Sequence, residues 1–397
     1  MTTDGAVTGR PYDGIVNSSR RASAWAATMA GTRDLVADGP VRAHGDSDAE
    51  VGRIEPLGRP AREELEELVL APGATRSTGA GHRRVDEAPD PHRTCFERDR
   101  DRILHGTTAF RRLAGKTQVF IFPEDHQRSR LTHALEVAQV ATAIARACRL
   151  NVALTEAIAL GHDCGHGPGG HASEDAFSPF LDEGYDHAVW GADVVLAPLN
   201  LCTETLDGIR NHSWSRPAPT TPEGEVVSWA DRIAYVCHDF EDAVHTGIVT
   251  PAQLPELVRE RCGDRRSQQL DAFIRAVVEA VAESGKVAMT APLSEALAEF
   301  RRFNYEQIYM RPASEAQSAQ VIRVLRGLVE FYADRPNTLP LEGLSLEPRA
   351  FSAGSAEAVR EAVTYVAGMT DRYAFTMAQD HLGWDPIHLP VGVDWRR

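Results

Sequence analysis

From residue 94 onward, apolar residues recur every three to four positions along most of the chain. This spacing places them on one face of an α-helix, so the pattern predicts a succession of amphipathic helices. Gly- and Pro-rich breaks at 165–170, 217–224 and 336–344 are typical of the loops between helices. The best short strand candidate is 118–122. The predicted helical segments are 99–113, 131–150, 154–161, 187–197, 203–212, 225–245, 251–261, 267–284, 293–309, 315–333 and 356–379.

Residues 1–91 differ from the rest of the chain in composition and in pattern. Gly, Ala, Ser, Arg, Asp and Pro dominate, and little sustained apolar period is present apart from one short helix predicted at 61–70. Such a segment buries too little apolar surface to offset the entropy lost on ordering. We therefore expect a poorly ordered or loosely docked N-terminal extension over 1–91, one large all-α domain over 92–383, and a tail over 384–397.

The composition excludes several classes of protein. The 397 residues are 43% hydrophobic and 25% charged, with a formal net charge of −15. An acidic balance disfavours a broad nucleic-acid or membrane-surface footprint, while leaving room for a local basic pocket for a small anion. The apolar runs are far shorter than the ~20 residues that span a bilayer, and no apolar signal segment opens the sequence. We expect a soluble cytoplasmic protein whose scattered cysteines are reduced.

The strongest candidates for a functional site are two histidines and two aspartates that follow one another along the predicted helices. His133 stands near the start of one predicted helix, the adjacent pair His162 and Asp163 at the end of the next, and Asp231 inside a later one. A lone histidine on a helix is more often a core or surface residue than a ligand. The ordered set is different, because three packed helices could bring all four side chains to one divalent ion. Open coordination positions would then remain for water and a phosphate oxygen.

These residues resemble the H…HD…D signature of the HD-domain metal-dependent phosphohydrolases. Longer motifs resemble one branch of that superfamily, the dGTPase-like deoxynucleoside triphosphate triphosphohydrolases, and the extension before residue 94 lies outside the resemblance. The segments that carry it are 96–105 continued by 109–120, then 128–137, 161–174 and 367–374.

The resemblance implies an HD-domain helical bundle with additional C-terminal helices. It also implies hydrolysis of deoxynucleoside triphosphates (dNTPs) at the α-phosphorus, giving a deoxynucleoside and inorganic triphosphate. The implied cofactor is a divalent metal ion, Mg²⁺ or Mn²⁺ first and Fe, Ni or Co after them. The implied partners are the dNTP substrate, further copies of the chain in a homo-oligomer, and a nucleotide at an allosteric interface.

The leaving 5′-oxygen needs a proton, and imidazole titrates nearest neutral pH. His171 and His187 are the candidates for this general acid. Glu174 lies three residues after His171, so it can orient that ring on the helical turn that follows the Gly-rich loop. The resemblance favours the pairing of His171 with Glu174 and matches His187 to a further active-site histidine. Without catalysis, Glu174 is an acid favoured at a helix N-terminus and His187 an ordinary helical residue.

A triphosphate carries about four negative charges near neutral pH, so cations must surround it. Arg130 lies on the same helical face as His133, and the resemblance assigns it to the phosphates. Arg112 and Lys116 are four residues apart, hence on one face if the helix continues, and a solvated face is the alternative. The resemblance also places Gln118 at the sugar or base and His166 among the substrate-binding residues.

Asp231, Tyr235 and Asp239 are spaced by four residues and form a single stripe along one predicted helix. If Asp231 binds metal, the other two extend from it into the pocket. The Tyr235 ring can pack against deoxyribose where a 2′-hydroxyl would clash, and Asp239 can accept from the 3′-hydroxyl, as in the related triphosphohydrolases. The alternative is an amphipathic helix with a buried tyrosine and exposed acids.

The loop that runs His166-Gly-Pro-Gly-Gly-His171 departs from the family pattern, because Gly169 stands where relatives carry phenylalanine. We expect a looser loop and an altered pocket. Two other functions therefore remain open: an HD-domain phosphohydrolase acting on another nucleotide phosphoester, and a catalytically weak nucleotide-binding regulator.

Overall fold

The computed structural model describes residues 14–28, 31–33, 39–119, 127–340 and 351–390. The chain consists of two compact units, residues 1–56 and 57–397. Within the first unit, helix α1 spans Gly14–Thr28, and strand β1 (Thr32–Arg33) pairs antiparallel with β2 (Val41–Arg42). Of the N-terminal extension predicted from composition, residues 1–13, 29–30 and 34–38 lie outside the described residues.

The second unit is built from helices, which confirms the all-α prediction. Within the described residues, no helix is both long and apolar enough to cross a bilayer. The helices are α2 (Arg59–Val69), α3 (Cys95–Gly106), α4 (Thr108–Arg112), α5 (Arg130–Ala147), α6 (Val152–Gly161), α7 (Ala172–Phe177), α8 (His187–Trp190), α9 (Thr203–Asn211), α10 (Pro222–His245), α11 (Glu256–Cys262), α12 (Arg266–Ser284), α13 (Ala291–Asn304), α14 (Pro312–Asp334), α15 (Ala356–Ala367) and α16 (Asp371–Leu382).

Helix α5 forms the centre of the main core, between α6 and α10. It begins at a capping box in which Ser129 and Thr132 satisfy each other's backbone N–H groups. The Asn151 side chain caps α6 by accepting from the backbone N–H of Leu154, and Thr221 caps α10 with a proline in the first turn. These caps fix where the three helices begin, and thereby the register of any side chain near their ends.

A second apolar cluster joins α14, α15 and α16 to α7. The sequence pattern predicts one helix over 356–379, but the structure contains two. The first ends at Ala367, and the second begins at Asp371 after the capping residue Thr370, whose hydroxyl accepts from the backbone N–H of Tyr373. A capping threonine inside an apolar period therefore interrupts what periodicity alone joins.

Residues 57–91 belong to the larger unit, which differs from the domain boundary expected at residue 91. Glu66 of α2 accepts from the backbone and hydroxyl of Ser77, at 2.6 and 2.8 Å. The Arg83 side chain is only 1% exposed and pairs with the fully buried Asp99 at 2.6 Å. This segment docks through buried polar pairs, which a search for apolar periodicity does not detect.

Two other local predictions also differ from the structure. The predicted helix over 99–113 breaks after Gly106, where Thr107 caps the short helix α4. The strand predicted over 118–122 is absent at Gln118 and Val119, and its remaining residues lie outside the described part of the chain. Next to it, Thr117 pairs with Ser129 in an isolated β-bridge.

Candidate active site

Three helices bring four ligand-type side chains together at one end of a cavity. His133 comes from the first turn of α5, His162 and Asp163 follow the end of α6, and Asp231 lies in the middle of α10. The His133 Nε2 atom is 3.1 Å from Asp231 Oδ1 and 4.0 Å from Asp163 Oδ2. The His162 Nε2 atom is 3.5 Å from Asp163 Oδ1 and 3.7 Å from Asp231 Oδ1.

These separations fit a shared divalent ion. Around an octahedral ion with bonds of about 2.1 Å, neighbouring ligand atoms lie ~3.0 Å apart and opposite ones ~4.2 Å apart. His162 donates from Nδ1 to the Ala159 carbonyl at 2.7 Å, so its Nε2 carries the lone pair. That Nε2 is buried without a hydrogen-bond partner among the described residues. A buried, unpartnered imidazole nitrogen facing two carboxylates is what a metal ligand requires.

The charges around the cluster keep its carboxylates ionised. Burial alone would raise the pKa of Asp163, but the Arg130 guanidinium, 2.9 Å away, and the nearby imidazoles hold it well below its usual range. Burial alone would also raise the pKa of Asp231, but its hydrogen bond with His133 lowers it. Ionised carboxylates and neutral imidazoles are the forms that bind a metal.

A second group of side chains converges on a single carboxylate oxygen. Glu174 Oε1 lies 2.6 Å from His187 Nδ1, 3.1 Å from His171 Nδ1 and 3.8 Å from His166 Nδ1. The rings of His166 and His187 stack, with their centroids 3.7 Å apart. The hydrogen bonds with His171 and His187 lower the pKa of Glu174 despite its burial. Glu174 therefore orients more than one imidazole, which is a larger role than that of a helix N-terminal acid.

His212, which sequence reasoning missed, links the two groups. It donates from Nδ1 to the Ile209 carbonyl at 2.8 Å, so its Nε2 accepts from His187 Nε2 at 3.3 Å. Its ring also packs edge-to-face against that of His162. His187 then donates from both ring nitrogens, one of them to Glu174, and this pattern of bonds assigns it the protonated form. The pKa of His187 is accordingly raised, since the Glu174 carboxylate outweighs burial.

The Gly-rich loop between these groups is held from three sides. The Lys116 ammonium donates to the carbonyls of His166 and Ala367, the latter at 2.9 Å. Asp371, at the start of α16, accepts from the backbone N–H of Gly169 at 2.8 Å. Inside the loop, the buried Ser173 hydroxyl donates to a loop carbonyl at 2.6 Å. The C-terminal helices thus anchor the loop that presents His166 and His171.

The looser loop expected from Gly169 is not what the structure contains. Gly169 has φ of +72°, a conformation that a phenylalanine adopts only with strain. A Cβ at this position would stand 2.5 Å from Val321 Cγ1 of α14. The space beside the loop is therefore filled by Val321, and the glycine is required by both its backbone conformation and this close approach.

The cavity beside the cluster has a volume of about 580 Å³, within the range of small-molecule sites. The sequence-predicted site residues that line it are Gln118, Arg130, His133, Asp163, His166, His171, His187, Asp231, Tyr235 and Asp239. His162 and Glu174 lie directly behind this lining and contact it through the bonds given above.

The stripe along α10 faces the cavity for its whole length. Tyr235 accepts from Arg301 Nε at 2.8 Å, and the buried Asp239 accepts from the Tyr309 hydroxyl at 2.5 Å. The other oxygen of Asp239 has no partner among the described residues, and burial raises the pKa of this carboxyl to about 7. The side-chain oxygen of Gln118 is also buried and unpartnered there. These unused acceptors are available to a ligand with hydroxyl or amino groups.

Arg112 and Lys116 do not reach the cavity. Helix α4 ends at Arg112 and a tight turn follows it, so the two side chains no longer share a face. Arg112 is exposed and donates to the Gly368 carbonyl at 3.0 Å. Lys116 is buried in its loop contact, and burial lowers its pKa to about 8. The α-helix that would have aligned them ends at Arg112, four residues before Lys116.

Two further arginines in the lining were missed. Arg232 directly follows Asp231, and adjacency to a proposed ligand was a signal that could have identified it. Arg301 lies on α13, far away in sequence, and only tertiary packing brings it to Tyr235. The same holds for Tyr309, which a single π-helical turn after α13 directs at Asp239.

Comparison with known proteins gives consistent matches along the larger unit. A family model described as the HD domain matches residues 130–236, and one described as the phosphohydrolase-associated domain matches residues 287–380. A deoxyguanosinetriphosphate triphosphohydrolase-like protein of Caldanaerobacter subterraneus subsp. tengcongensis is 42% identical over 339 residues, which cover 84% of this chain and 96% of the relative.

A second relative carries the same description. This protein of Desulfatibacillum aliphaticivorans is 37% identical over 329 residues, covering 78% of this chain and 93% of its own. Among solved structures, that of a phosphohydrolase from Bacteroides thetaiotaomicron covers 71% of this chain and 69% of its own, at 17% identity and a TM-score of 0.45.

Proposed function

This chain belongs to the deoxyguanosinetriphosphate triphosphohydrolase-like proteins of the HD-domain family, and on that premise we propose that it hydrolyses dNTPs to a deoxynucleoside and inorganic triphosphate. Water adds to the α-phosphorus, the bond from this phosphorus to the 5′-oxygen breaks, and the 5′-oxygen leaves with a proton. The observation that supports the proposal is the grouping of two imidazoles and two carboxylates beside a cavity whose walls also carry guanidinium groups.

The residues that would hold the metal ion are His133, His162, Asp163 and Asp231. When bound, a divalent ion polarises the α-phosphate and lowers the pKa of the attacking water. Their oxygen and nitrogen donors suit Mg²⁺ or Mn²⁺, and also Fe, Ni or Co, which the resemblance includes.

Arg130, Arg232 and Arg301 are the cations proposed to bind the phosphates. All three line the cavity, whereas Arg112 and Lys116 do not. Arg130 is already paired with Asp163, so its charge is partly neutralised. No such ion pair neutralises Arg232 or Arg301 within the described residues. A guanidinium group that faces a cavity and is not paired with a carboxylate favours an anionic ligand.

His171 is the proposed general acid. It is largely exposed to the cavity, with 74% of its side chain accessible, and its Nδ1 is held by Glu174. His187 is buried between Glu174 and His212, where it fixes the carboxylate that orients His171. Nε2 of His171 remains available to give its proton to the departing 5′-oxygen.

The deoxyribose is proposed to lie along α10. The Tyr235 ring would pack where a 2′-hydroxyl would otherwise stand, and the free oxygen of Asp239 would accept from the 3′-hydroxyl. The unpartnered side-chain oxygen of Gln118, which also lines the cavity, is a second acceptor. Homo-oligomerisation, an allosteric nucleotide site and a cytoplasmic location stay predictions that rest on the family resemblance.

The test is a screen of dNTPs and ribonucleoside triphosphates with Mn²⁺ or Mg²⁺, followed by chromatography of the products. Triphosphate and deoxynucleoside in equal amounts are expected. Orthophosphate released from a monoester would instead support another HD phosphohydrolase activity, and binding without turnover would support a nucleotide-binding regulator. Equal cleavage of ribonucleotides would refute the role of Tyr235.

The variant that tests the metal site is Asp231→Asn. Asp163 is less suitable, because its removal also leaves the buried Arg130 charge unpaired. We expect Asp231→Asn to lose bound metal and turnover together while keeping the helical circular dichroism spectrum of the wild type. Turnover retained without bound metal would overturn the assignment.

A further inference from the structure

Trp214 lies in the wall of the cavity, on the loop that joins α9 to α10. Its indole N–H donates to the Ser228 carbonyl of α10 at 3.1 Å, and its ring packs edge-to-face against Trp229, with the centroids 4.7 Å apart. The ring is nevertheless 47% exposed. Two contacts from one helix therefore fix the orientation of an aromatic ring in the cavity wall.

The guanidinium group of Arg232 occupies that face. Its central carbon lies 3.4 Å from the centroid of the Trp214 ring, well inside the distance of a cation–π contact. Ser228 and Arg232 are four residues apart on α10, so the helix holds the tryptophan at one turn and the arginine at the next. Trp214 and Arg232 form a stacked pair supported by a single rigid element.

Arg232 has no carboxylate partner to hold it. Its Nε atom is buried without a hydrogen-bond partner in the described part of the chain. Among the described residues Arg232 forms no ion pair with a carboxylate, unlike Arg83 and Arg130. A long side chain in this situation loses considerable rotamer freedom when it is fixed in one direction.

We infer that Trp214 is a positioning residue that holds the Arg232 guanidinium ready for the phosphate tail of the substrate. The inference rests on the proposed function, which supplies the anion. Stacking uses only the face of the guanidinium plane, whereas its N–H donors lie in that plane. The contact therefore fixes the group without consuming the donors that a phosphate needs.

The test measures binding of sodium tripolyphosphate to the metal-free protein by isothermal titration calorimetry. Trp214→Leu keeps apolar bulk but removes the aromatic face, and Trp214→Phe keeps a smaller aromatic face. We expect Trp214→Leu to weaken binding about tenfold, and Trp214→Phe only about threefold, because the Arg232 side chain would then have to be ordered when the ligand binds. Equal affinity in the wild type and Trp214→Leu would overturn the inference.

Double variants separate positioning from a general loss of packing. If Trp214 acts through Arg232, Trp214→Leu will add almost nothing to the effect of Arg232→Ala, because the interacting group is already gone. Full additivity of the two effects would contradict the inference. With dNTP as substrate, Trp214→Leu is expected to raise KM about tenfold while changing kcat less than twofold. Melting temperatures within a few degrees of wild type identify variants that are folded.

Trp25→Ala is the matched control. Trp25 also carries an arginine over its ring, Arg21 at 4.6 Å, but on the exposed helix α1 of the other unit. Its loss is expected to leave tripolyphosphate binding unchanged. A wild-type protein that binds neither tripolyphosphate nor dNTP would refute the proposed function. A wild-type protein that releases triphosphate, with no effect of Trp214→Leu, would refute only the role of Trp214.

Discussion

Lys116 donates a hydrogen bond to the carbonyl oxygen of His166, across fifty residues of sequence, and so ties the end of the α4 turn to the loop of the active site. The same ammonium reaches the Ala367 carbonyl in the C-terminal helices at 2.9 Å. One buried side chain thus connects three parts of the chain. The sequence suggested that Lys116 contacts phosphate, but in the structure its ammonium group binds these two carbonyls instead.

Lys116→Met is therefore expected to act on the loop rather than on phosphate affinity. Two buried carbonyls would lose their donor, which costs ~1–3 kcal/mol of unfolding free energy for each. We expect a lower denaturation midpoint and a reduced kcat, with the dissociation constant for tripolyphosphate unchanged. Arg112→Met, an exposed neighbour, serves as control and is expected to change the midpoint little. A stable Lys116→Met protein with a raised KM would restore the phosphate hypothesis.

Glu174→Gln tests whether Glu174 orients the catalytic imidazoles. Loss of the carboxylate removes the acceptor shared by His171 and His187, and we expect kcat to fall by ~10²–10⁴. Metal content, measured by atomic emission, is expected to stay at the wild-type level. Asp175→Asn is the control for the helix terminus, because this adjacent acid lies in the same first turn of α7 and lines the cavity but stands outside the histidine cluster. Similar small effects of both changes would show that Glu174 serves only the helix terminus.

Gly169→Ala tests whether position 169 excludes a side chain, such as the phenylalanine that relatives carry there. The positive φ costs an L-residue ~1–2 kcal/mol, and the contact with Val321 adds to this. Gly285→Ala provides the comparison, since Gly285 has φ of +70° and open space around its Cβ position. We expect a larger fall in unfolding free energy for Gly169→Ala than for Gly285→Ala. Val321→Ala should recover part of the difference, and failure to do so would place the strain elsewhere.

Asp239→Asn tests the buried carboxyl at the sugar end. The pKa of Asp239 is raised from an ordinary 3.8 to about 7, so between these values the folded state keeps a proton that the unfolded chain has lost. Stability therefore falls as pH rises from about 4 to about 7. We expect Asp239→Asn to be more stable than wild type at pH 8, by at most ~4 kcal/mol, with no such gain at pH 4. Chemical denaturation at the two pH values measures this.

The same variant carries a prediction about binding. If the Asp239 carboxylate accepts from the 3′-hydroxyl, the wild-type KM for dNTP will fall as pH rises through about 7, and this dependence will be absent in Asp239→Asn. A 2′,3′-dideoxynucleotide is the control substrate, because it lacks the 3′-hydroxyl. Identical pH profiles of KM for dNTP and for the dideoxynucleotide would contradict the contact.

The helices and the cavity-lining stripe were predictable because both depend on local periodicity. Asp231, Tyr235 and Asp239 share a face whatever the rest of the molecule does, since α10 is continuous. Arg301 and His212 could not be found this way, because tertiary packing alone brings them to the site. Docking of residues 57–91 was missed for a related reason, since its buried contacts are polar, such as that of Arg83 with Asp99.

Helix α10 fixes the distances between the side chains that it carries into the cavity. This helix carries Asp231, Tyr235 and Asp239, and at a rise of 1.5 Å per residue the first and the last stand ~12 Å apart along its axis. Inserting or deleting a single residue between them would turn the distal carboxyl by ~100° and carry it away from the nucleotide. We therefore expect natural variation in length to avoid this stretch, and a deliberate one-residue insertion there to uncouple cleavage chemistry from sugar selection.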